Sequence, residues 1–175
     1  MVLRHTPALV WLALLSSGLS GTCLAADPAP GDAAGVAVIR GSDKLATMTM
    51  GDLDKLQAIQ VTPSFGGRGG QPATFEGPLL WTVLSEAHAV TFAKMGDQVR
   101  QVVSLTGSDG YTAVLGLGEI SPDFEGKQVI LAERMDGKPL GPDHLRVVIP
   151  GDMKGGRSVR NIVAVGITPL PAAVH

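Results

Sequence analysis

The sequence predicts an α+β fold in which short strands outnumber helices. Six or seven short runs are rich in β-branched residues, whereas only two stretches repeat apolar residues at helical spacing. The chain has 175 residues, of which 45% are hydrophobic. Because a domain of roughly 150 residues buries about 68–70% of its unfolded surface, a single core of ordinary size needs no disulfide to hold it together.

Strand-like patterns concentrate in the second half of the chain. Apolar and polar residues alternate over Val99–Thr106, and Tyr111–Leu115 follows a glycine-bounded turn. A hairpin is predicted to turn at Asp136–Gly137, because this dipeptide tolerates the backbone angles of tight turns. Weaker strands are predicted at Leu45–Met50 and near Ile59–Thr62.

Two helices are predicted in the first half. The clearer one covers Pro78–Ala89, because proline suits the first helical position and apolar residues follow at i, i+3, i+4 and i+7. The shorter one covers Gly51–Ala58, where Thr49 and Asp52 form the pattern of a capping box. The apolar face of the clearer helix consists of Leu80, Val83, Leu84 and Ala87.

A basic, glycine-containing loop lies between two apolar runs, and the chain is organised around it. The runs are Val147–Ile149, which ends at Pro150 and Gly151, and Ile162–Ile167. Guanidinium groups clamp phosphate bidentately, and glycine lets backbone N–H groups approach an anion. On spacing alone, the loop is more typical of a solvated, positively charged turn. The candidate anion contacts of this loop are Lys154, Arg157, Ser158 and Arg160.

A second glycine-rich loop covers Ser64–Pro72, with four glycines around Arg68. Glycine adopts unusual backbone angles at low steric cost. The loop is therefore interpreted either as a mobile hairpin tip or as a flap over a ligand, and Arg68 is a further candidate contact.

The chain ends differ in composition from its middle. Residues 1–25 have a basic start, an apolar core too short to span a bilayer and a small-residue end, which predicts a signal peptide cut after Ala25. Residues 26–40 are interpreted as a flexible spacer, 41–169 as one domain and 170–175 as a loose tail. The expected location is the periplasm or the cell exterior, with no membrane span.

Charge and cysteine content narrow the function classes. The formal net charge is −2, which argues against nucleic acid as a partner because phosphate neutralisation needs a basic surface. Cys23 is the only cysteine and lies in the predicted signal peptide. The mature chain is therefore expected to have no disulfide and no thiolate metal ligand.

Three segments in order resemble the oxidoreductase molybdopterin-binding domain of the sulfite oxidase family. FEGPLLWTVL (Phe75–Leu84) is similar to its leucine-rich helix, and SDGYTAVLGLGEI (Ser108–Ile120) to its aspartate-glycine-tyrosine turn and following strand. The most distinctive segment is Leu131–Ile162, which contains the DG hairpin, the RVVIP strand and the GRSVR loop. The resemblance covers about Leu53–Ile167.

The resemblance implies a mixed, β-rich sulfite-oxidase-type fold with two or three short helices. It also implies molybdopterin as the cofactor, with its phosphate held by Arg157, Ser158 and Arg160. Arg160 stands where lysine is usual in the family.

One feature of the family is missing. In its catalytic members a cysteine after an early strand ligates molybdenum, and Val61–Gly70, in the corresponding place, has no cysteine. Ser64 or Phe65 falls nearest the missing sulfur, and neither replaces a thiolate. Molybdenum is therefore not expected, and the protein is not expected to be a sulfite oxidase.

Three functions follow from these observations. The first is a secreted, non-catalytic binding module for a pterin or another phosphate-bearing ligand. The second is a protein with a partner-binding or a structural role, in which the cofactor pocket has collapsed. The third is a molybdopterin-dependent oxidoreductase without a protein thiolate ligand.

Overall fold

The computed structural model describes residues 34–65, 72–92 and 94–170. The predicted signal peptide, Arg68 and residues 171–175 of the predicted tail lie outside the described residues. In the described part, no helix is long and apolar enough to cross a bilayer.

Eleven strands and three short α-helices make up the described part of the chain, together with three 3-10 turns. The strands are β1 (Gly35–Arg40), β2 (Asp43–Thr49), β3 (Ala58–Val61), β4 (Phe75–Pro78), β5 (Gln101–Gly107), β6 (Thr112–Gly116), β7 (Ile130–Ala132), β8 (Arg134–Met135), β9 (Lys138–Pro139), β10 (Arg146–Val148) and β11 (Ile162–Pro169). The helices are α1 (Met50–Leu53), α2 (Leu80–Glu86) and α3 (Leu117–Ile120), and the 3-10 turns are Met95–Arg100, Pro142–His144 and Gly155–Arg157. This confirms the predicted β-rich α+β fold.

The strands form three sheets. The largest has the strand order β2-β1-β11-β5-β6, in which only the β1–β11 pair is parallel. A four-stranded sheet has the order β3-β4-β8-β9, and β7 pairs with β10. The strand β11 follows β10 directly in sequence but lies in a different sheet, so the segment between them links two sheets.

The main core lies on one face of the large sheet, against α2, β7 and β10. The sheet contributes valines, leucines and isoleucines from alternate positions, as expected for strands with one buried face. A smaller apolar cluster forms around Phe75 on the other side of β7 and β10. The fully buried sheet residues of the main core are Val36, Val38, Val103, Leu105, Val165 and Ile167.

The predicted spacer over 26–40 is wrong in its last six residues. Gly35–Arg40 forms β1, which pairs with both β2 and β11. Val36 and Val38 are fully buried. The alternation of these valines with smaller residues in GVAVIR therefore marks a strand, although the residues before it are small or proline. The ordered domain therefore includes residues that the sequence interpretation places before it. At the other end, the backbone N–H of Leu170 donates to the carbonyl oxygen of Arg100 at 2.7 Å, so this residue of the predicted tail is tied down.

The predicted helix over Pro78–Ala89 exists but is shorter. Its first two residues differ because Pro78 belongs to β4, where it pairs with Ala58, and α2 begins at Leu80. The chain leaves the helix before His88, whose φ is 56°. The predicted apolar face is buried as expected, with Leu80, Val83 and Leu84 fully buried and Ala87 6% exposed.

Two local predictions are confirmed in detail. The capping box forms at α1, where the Asp52 backbone N–H donates to Thr49 Oγ1 at 3.3 Å and the Thr49 backbone N–H donates to Asp52 Oδ2 at 3.2 Å. The helix itself covers only Met50–Leu53 instead of Gly51–Ala58. The hairpin between β8 and β9 turns at Asp136 and Gly137, whose φ angles are 52° and 75°.

Candidate functional site

The basic loop runs from the end of β10 to the start of β11. Val148 ends β10, and Gly151 turns the chain with a φ of 85° that favours glycine. A single 3-10 turn over Gly155–Arg157 follows, and an isolated bridge then joins Arg160 to Arg146. The loop is therefore closed at its base by backbone pairing and held between two sheets.

Arg157 is directed at carboxylates of the chain itself. Its Nε donates to Asp152 Oδ2 at 3.1 Å and its Nη2 donates to Asp152 Oδ1 at 2.7 Å, which is a bidentate pair. Its Nη1 donates to Glu119 Oε2 at 3.2 Å. The hydrogen bond to Asp152 is the main cause that raises the pKa of Arg157 and lowers that of Asp152. Three of the five guanidinium donors are therefore already used within the chain.

Glu119 connects this loop to α3. Burial raises its pKa, but hydrogen bonds from the Gly116 backbone N–H, Arg157 and Lys127 outweigh burial, and the net pKa is lowered. Its Oε1 accepts from the Gly116 N–H at 2.9 Å, and its Oε2 also accepts from Lys127 Nζ at 3.3 Å. Lys127 pairs in turn with Glu125 at 3.0 Å. The loop is thus fastened to a network of alternating charges.

The other predicted contacts of the loop point in different directions. Ser158 is 5% exposed, and its Oγ accepts from the Ile149 backbone N–H at 3.3 Å, so its hydroxyl lies on the inner side of the loop. Lys154 is exposed and directly precedes the 3-10 turn. An anion cradle made by this loop alone would bring Arg157 and Arg160 together. In the structure, these two arginines have different neighbours. Arg157 pairs with carboxylates, whereas Arg160 pairs with the start of β10.

The start of β10 supplies a candidate site residue that is not among the contacts predicted from the sequence. Arg146 is 7% exposed, and its Nε has no hydrogen-bond partner among the described residues. Its guanidinium carbon lies 5.0 Å from the centre of the Phe75 ring. Burial lowers the pKa of Arg146, and the charge of Arg160 lowers it further. The sequence does contain a signal for this residue, because Arg146 begins an otherwise apolar strand. Arginine is almost never fully buried unless it is paired, so an arginine in such a strand points to a binding partner.

Arg146 and Arg160 project to the same side of the backbone. Residues opposed in an antiparallel pair have Cβ atoms about 4.5–5.5 Å apart on one face, and these two form such a bridge. In the part of the chain that the structure describes, no carboxylate lies within salt-bridge distance of either one. Two cationic side chains thus leave the backbone on the same side, and no ion pair among the described residues neutralises either of them.

A groove of about 400 Å³ opens beside Arg160. Tyr111 forms one wall, and its hydroxyl donates to the Gly156 carbonyl oxygen at 2.7 Å. The backbone N–H of Tyr111 donates to Asp109 Oδ1 at 2.9 Å, which fixes the turn before it. The lining combines an aromatic ring, a cation, a carboxylate and exposed glycine backbone, and consists of Asp109, Tyr111, Gly155, Gly156, Ser158, Val159, Arg160 and Asn161.

The loop after β3 lies against the basic loop. Ser64 Oγ donates to the Asp152 carbonyl oxygen at 3.0 Å. The Phe65 ring covers Gly155 so closely that a Cβ at that glycine would lie 2.9 Å from it. Ser64 and Phe65, the residues that fall nearest the missing cysteine in the resemblance, therefore lie against the loop that carries the candidate anion contacts. Within the described residues, no group of three or more His, Cys, Asp or Glu side chains could hold a metal ion.

Comparison with known proteins identifies the family. The family model described as "oxidoreductase molybdopterin binding domain" matches residues 39–173. The chain is 31% identical over 118 residues to nitrate reductase [NADPH] of Aspergillus niger, which covers 62% of this chain and 12% of the relative. It is also 31% identical over 117 residues to nitrate reductase [NADPH] of Emericella nidulans, with the same coverage. The chain thus spans only about an eighth of the length of these relatives. It belongs to the oxidoreductase molybdopterin binding domain family.

Proposed function

We propose that this protein is an exported, non-catalytic binding module for a pterin that carries a phosphate group. The observation that carries the proposal is the pair Arg146 and Arg160. Burying a guanidinium without a partner costs free energy, and placing a second cation beside it adds repulsion. A bound phosphate would remove both costs, because it accepts hydrogen bonds from two guanidinium groups at once.

The groove beside Arg160 supports the pterin part of the proposal. An anion held by Arg160 would lie at one end of a space whose wall includes the Tyr111 ring and the backbone of Gly155 and Gly156. Small-molecule sites combine apolar or aromatic surface with a few placed polar groups, as here. The phosphate end of molybdopterin fits these residues, and the cofactor would supply redox chemistry only if it carried its metal.

The residues beside the basic loop fit the molybdenum end of the cofactor less well than its phosphate end. Position 23 holds the only cysteine, and neither Ser64 nor Phe65 provides a thiolate beside the basic loop. We therefore propose that no protein sulfur ligates a metal here, and that the nitrate reductase activity of the longer relatives does not extend to this chain. Its location outside the cytoplasm is part of the same proposal and rests on the composition of residues 1–25.

The proposal is tested by titrating a pterin monophosphate into the mature protein and following pterin fluorescence. Arg160→Gln is expected to weaken binding about 10- to 100-fold, because one charge-assisted hydrogen bond contributes about 1.5–3 kcal/mol and about 1.4 kcal/mol is a factor of ten. Lys138→Gln in the β8–β9 hairpin removes the same charge outside the loop and is expected to leave affinity unchanged. Equal affinity in wild type and Arg160→Gln would contradict the proposal and favour the protein-partner function.

A further inference from the structure

We propose that Arg157 is a positioning residue that shapes the basic loop and does not itself contact the anion. The inference rests on the proposed function, since it concerns the same site. It revises the role that the resemblance implies for Arg157 and transfers the anion contact to Arg146 and Arg160.

The pairing of Arg157 with Asp152 closes the loop across its own width. Asp152 follows the turn at Gly151, and Arg157 ends the 3-10 turn, so the bidentate pair joins the two arms of the loop. Asp152 has a 17% exposed side chain and Arg157 a 36% exposed one. Because a fork-shaped bidentate pair fixes orientation as well as distance, it sets the path of the backbone that leads to Arg160.

The third hydrogen bond of Arg157 joins the loop to α3 through Glu119. Glu119 belongs to α3 and is itself held by the Gly116 backbone and by Lys127. Two further contacts act on the same loop, one from Tyr111 to the Gly156 carbonyl and one from Ser64 to the Asp152 carbonyl. The loop is thus held from three places in the chain, and two of its own charged side chains, Arg157 and Asp152, take part in ion pairs.

An anion contact by Arg157 would have to compete with two carboxylates. The guanidinium is already compensated, and its raised pKa has the hydrogen bond to Asp152 as its main cause. Arg146 and Arg160 have no such compensation among the described residues. Arg146 and Arg160 therefore bind the anion, whereas Arg157, which is already paired with carboxylates, positions the loop.

The two roles predict opposite effects of removing Asp152. If Arg157 contacted the anion, Asp152→Ala would free its guanidinium and take away a nearby negative charge, and the anion would bind more tightly. If Arg157 positions the loop, the same change lets the loop populate other arrangements. Affinity then falls by the fraction of time for which the competent arrangement exists, about ten-fold if that fraction is a tenth.

The experiment is a titration of inorganic phosphate into the mature protein, followed by amide NMR shifts. The variants are Asp152→Ala, Arg157→Gln and the double variant, with Glu125→Ala as the matched control. Glu125 belongs to the same charge network through Lys127 but has no bond to Arg157. We expect about ten-fold weaker binding for each single variant, no further loss in the double variant, and wild-type affinity or better in the control.

Each outcome separates the two claims. Wild-type protein that binds no phosphate would overturn the proposed function and this inference with it. Phosphate binding that is lost in Arg160→Gln but stronger or unchanged in Asp152→Ala would overturn the positioning role alone. If Asp152→Ala is poorly folded by circular dichroism, Asp152→Asn keeps the shape of the side chain, removes the charge and gives the same decision in milder form.

Discussion

Replacing Gly77 by alanine is expected to lower the free energy of unfolding by about 3 kcal/mol, near the upper end for overpacking. A Cβ built on Gly77 falls onto the carbonyl oxygen of Leu131 and lies 2.8 Å from its carbonyl carbon. It also lies 2.9 Å from the Cα of Ala132. All three atoms are backbone of β7, so no side-chain rotation relieves the clash and β4 must move away from β7.

Chemical denaturation of wild type and Gly77→Ala measures this effect. Gly96→Ala is the matched control, because a Cβ at Gly96 has nothing within 4 Å and its backbone is not in the left-handed region. We expect the control to lose less than about 1 kcal/mol or to gain stability, as glycine-to-alanine changes do at compatible sites. A loss at Gly77 no greater than the control's would mean that β4 and β7 are not packed this closely.

Raising the pH from about 5 to 8 is expected to destabilise the protein through Glu133. The pKa of Glu133 is raised to about 7, mainly by burial and also by the charges of Asp54 and Glu76, while Arg134 acts in the opposite direction. Its side chain is 7% exposed, and its Oε1 has no hydrogen-bond partner among the described residues. The ionised carboxylate is therefore a cost to the folded state.

The sign of this effect follows from proton binding. The folded-state pKa lies above the unfolded value of about 4.3, so between these two pH values the folded protein binds more protons. The contribution of Glu133 to the free energy of unfolding is then fully present below about pH 4.3. This contribution is lost as the pH rises through 7, which lowers the free energy of unfolding by up to about 3 kcal/mol. Asp52, Glu119 and Asp152 have lowered pKa values and therefore lose their contributions at more acidic pH.

Denaturation midpoints across this pH range test the prediction with Glu133→Gln. This variant keeps the shape of the side chain and removes its titration, so we expect the slope between pH 5 and 8 to flatten. Glu86→Gln, at an exposed position on α2, is expected to keep the wild-type slope. A slope that persists in Glu133→Gln would assign the pH dependence to another group.

Much of the fold could be predicted because local chemistry and tertiary structure agree. The capping box at Thr49 and Asp52, the hairpin at Asp136–Gly137 and the buried face of α2 each depend on residues within seven positions of one another. The errors arise where a residue distant in the sequence determines the local structure. Pro78 suits the first turn of a helix, but its pairing with Ala58 places it in β4.

The strand β1 shows the same limit. Its alternation is short and follows a proline-rich segment, and it is stabilised by β11, more than 120 positions later in the chain. Strand pairing over such a separation leaves little trace in composition. The boundary of a domain that begins with a strand of this kind is therefore hard to place from sequence.

The position of the basic loop between two strands could be predicted from the sequence, but the contacts of its cations could not. The sequence shows which cations the loop carries, but not which of them the chain neutralises. Arg157 is paired with Glu119, 38 positions earlier, and this pairing has no signature in the loop. Arg146 escapes notice because it heads an apolar strand, and what distinguishes it is a buried Nε with no hydrogen-bond partner among the described residues.

The claim that an anion binds between Arg146 and Arg160 is tested most directly by NMR of the arginine Nε–H groups. Arg146 Nε is buried and has no partner in the described part of the chain, so its proton is a local reporter. On saturation with phosphate we expect the Arg146 Nε–H resonance to shift downfield as it gains an acceptor, while that of Arg157, already bonded to Asp152, changes little. An Arg146 resonance that stays in place while phosphate moves the Arg157 signal would contradict the account.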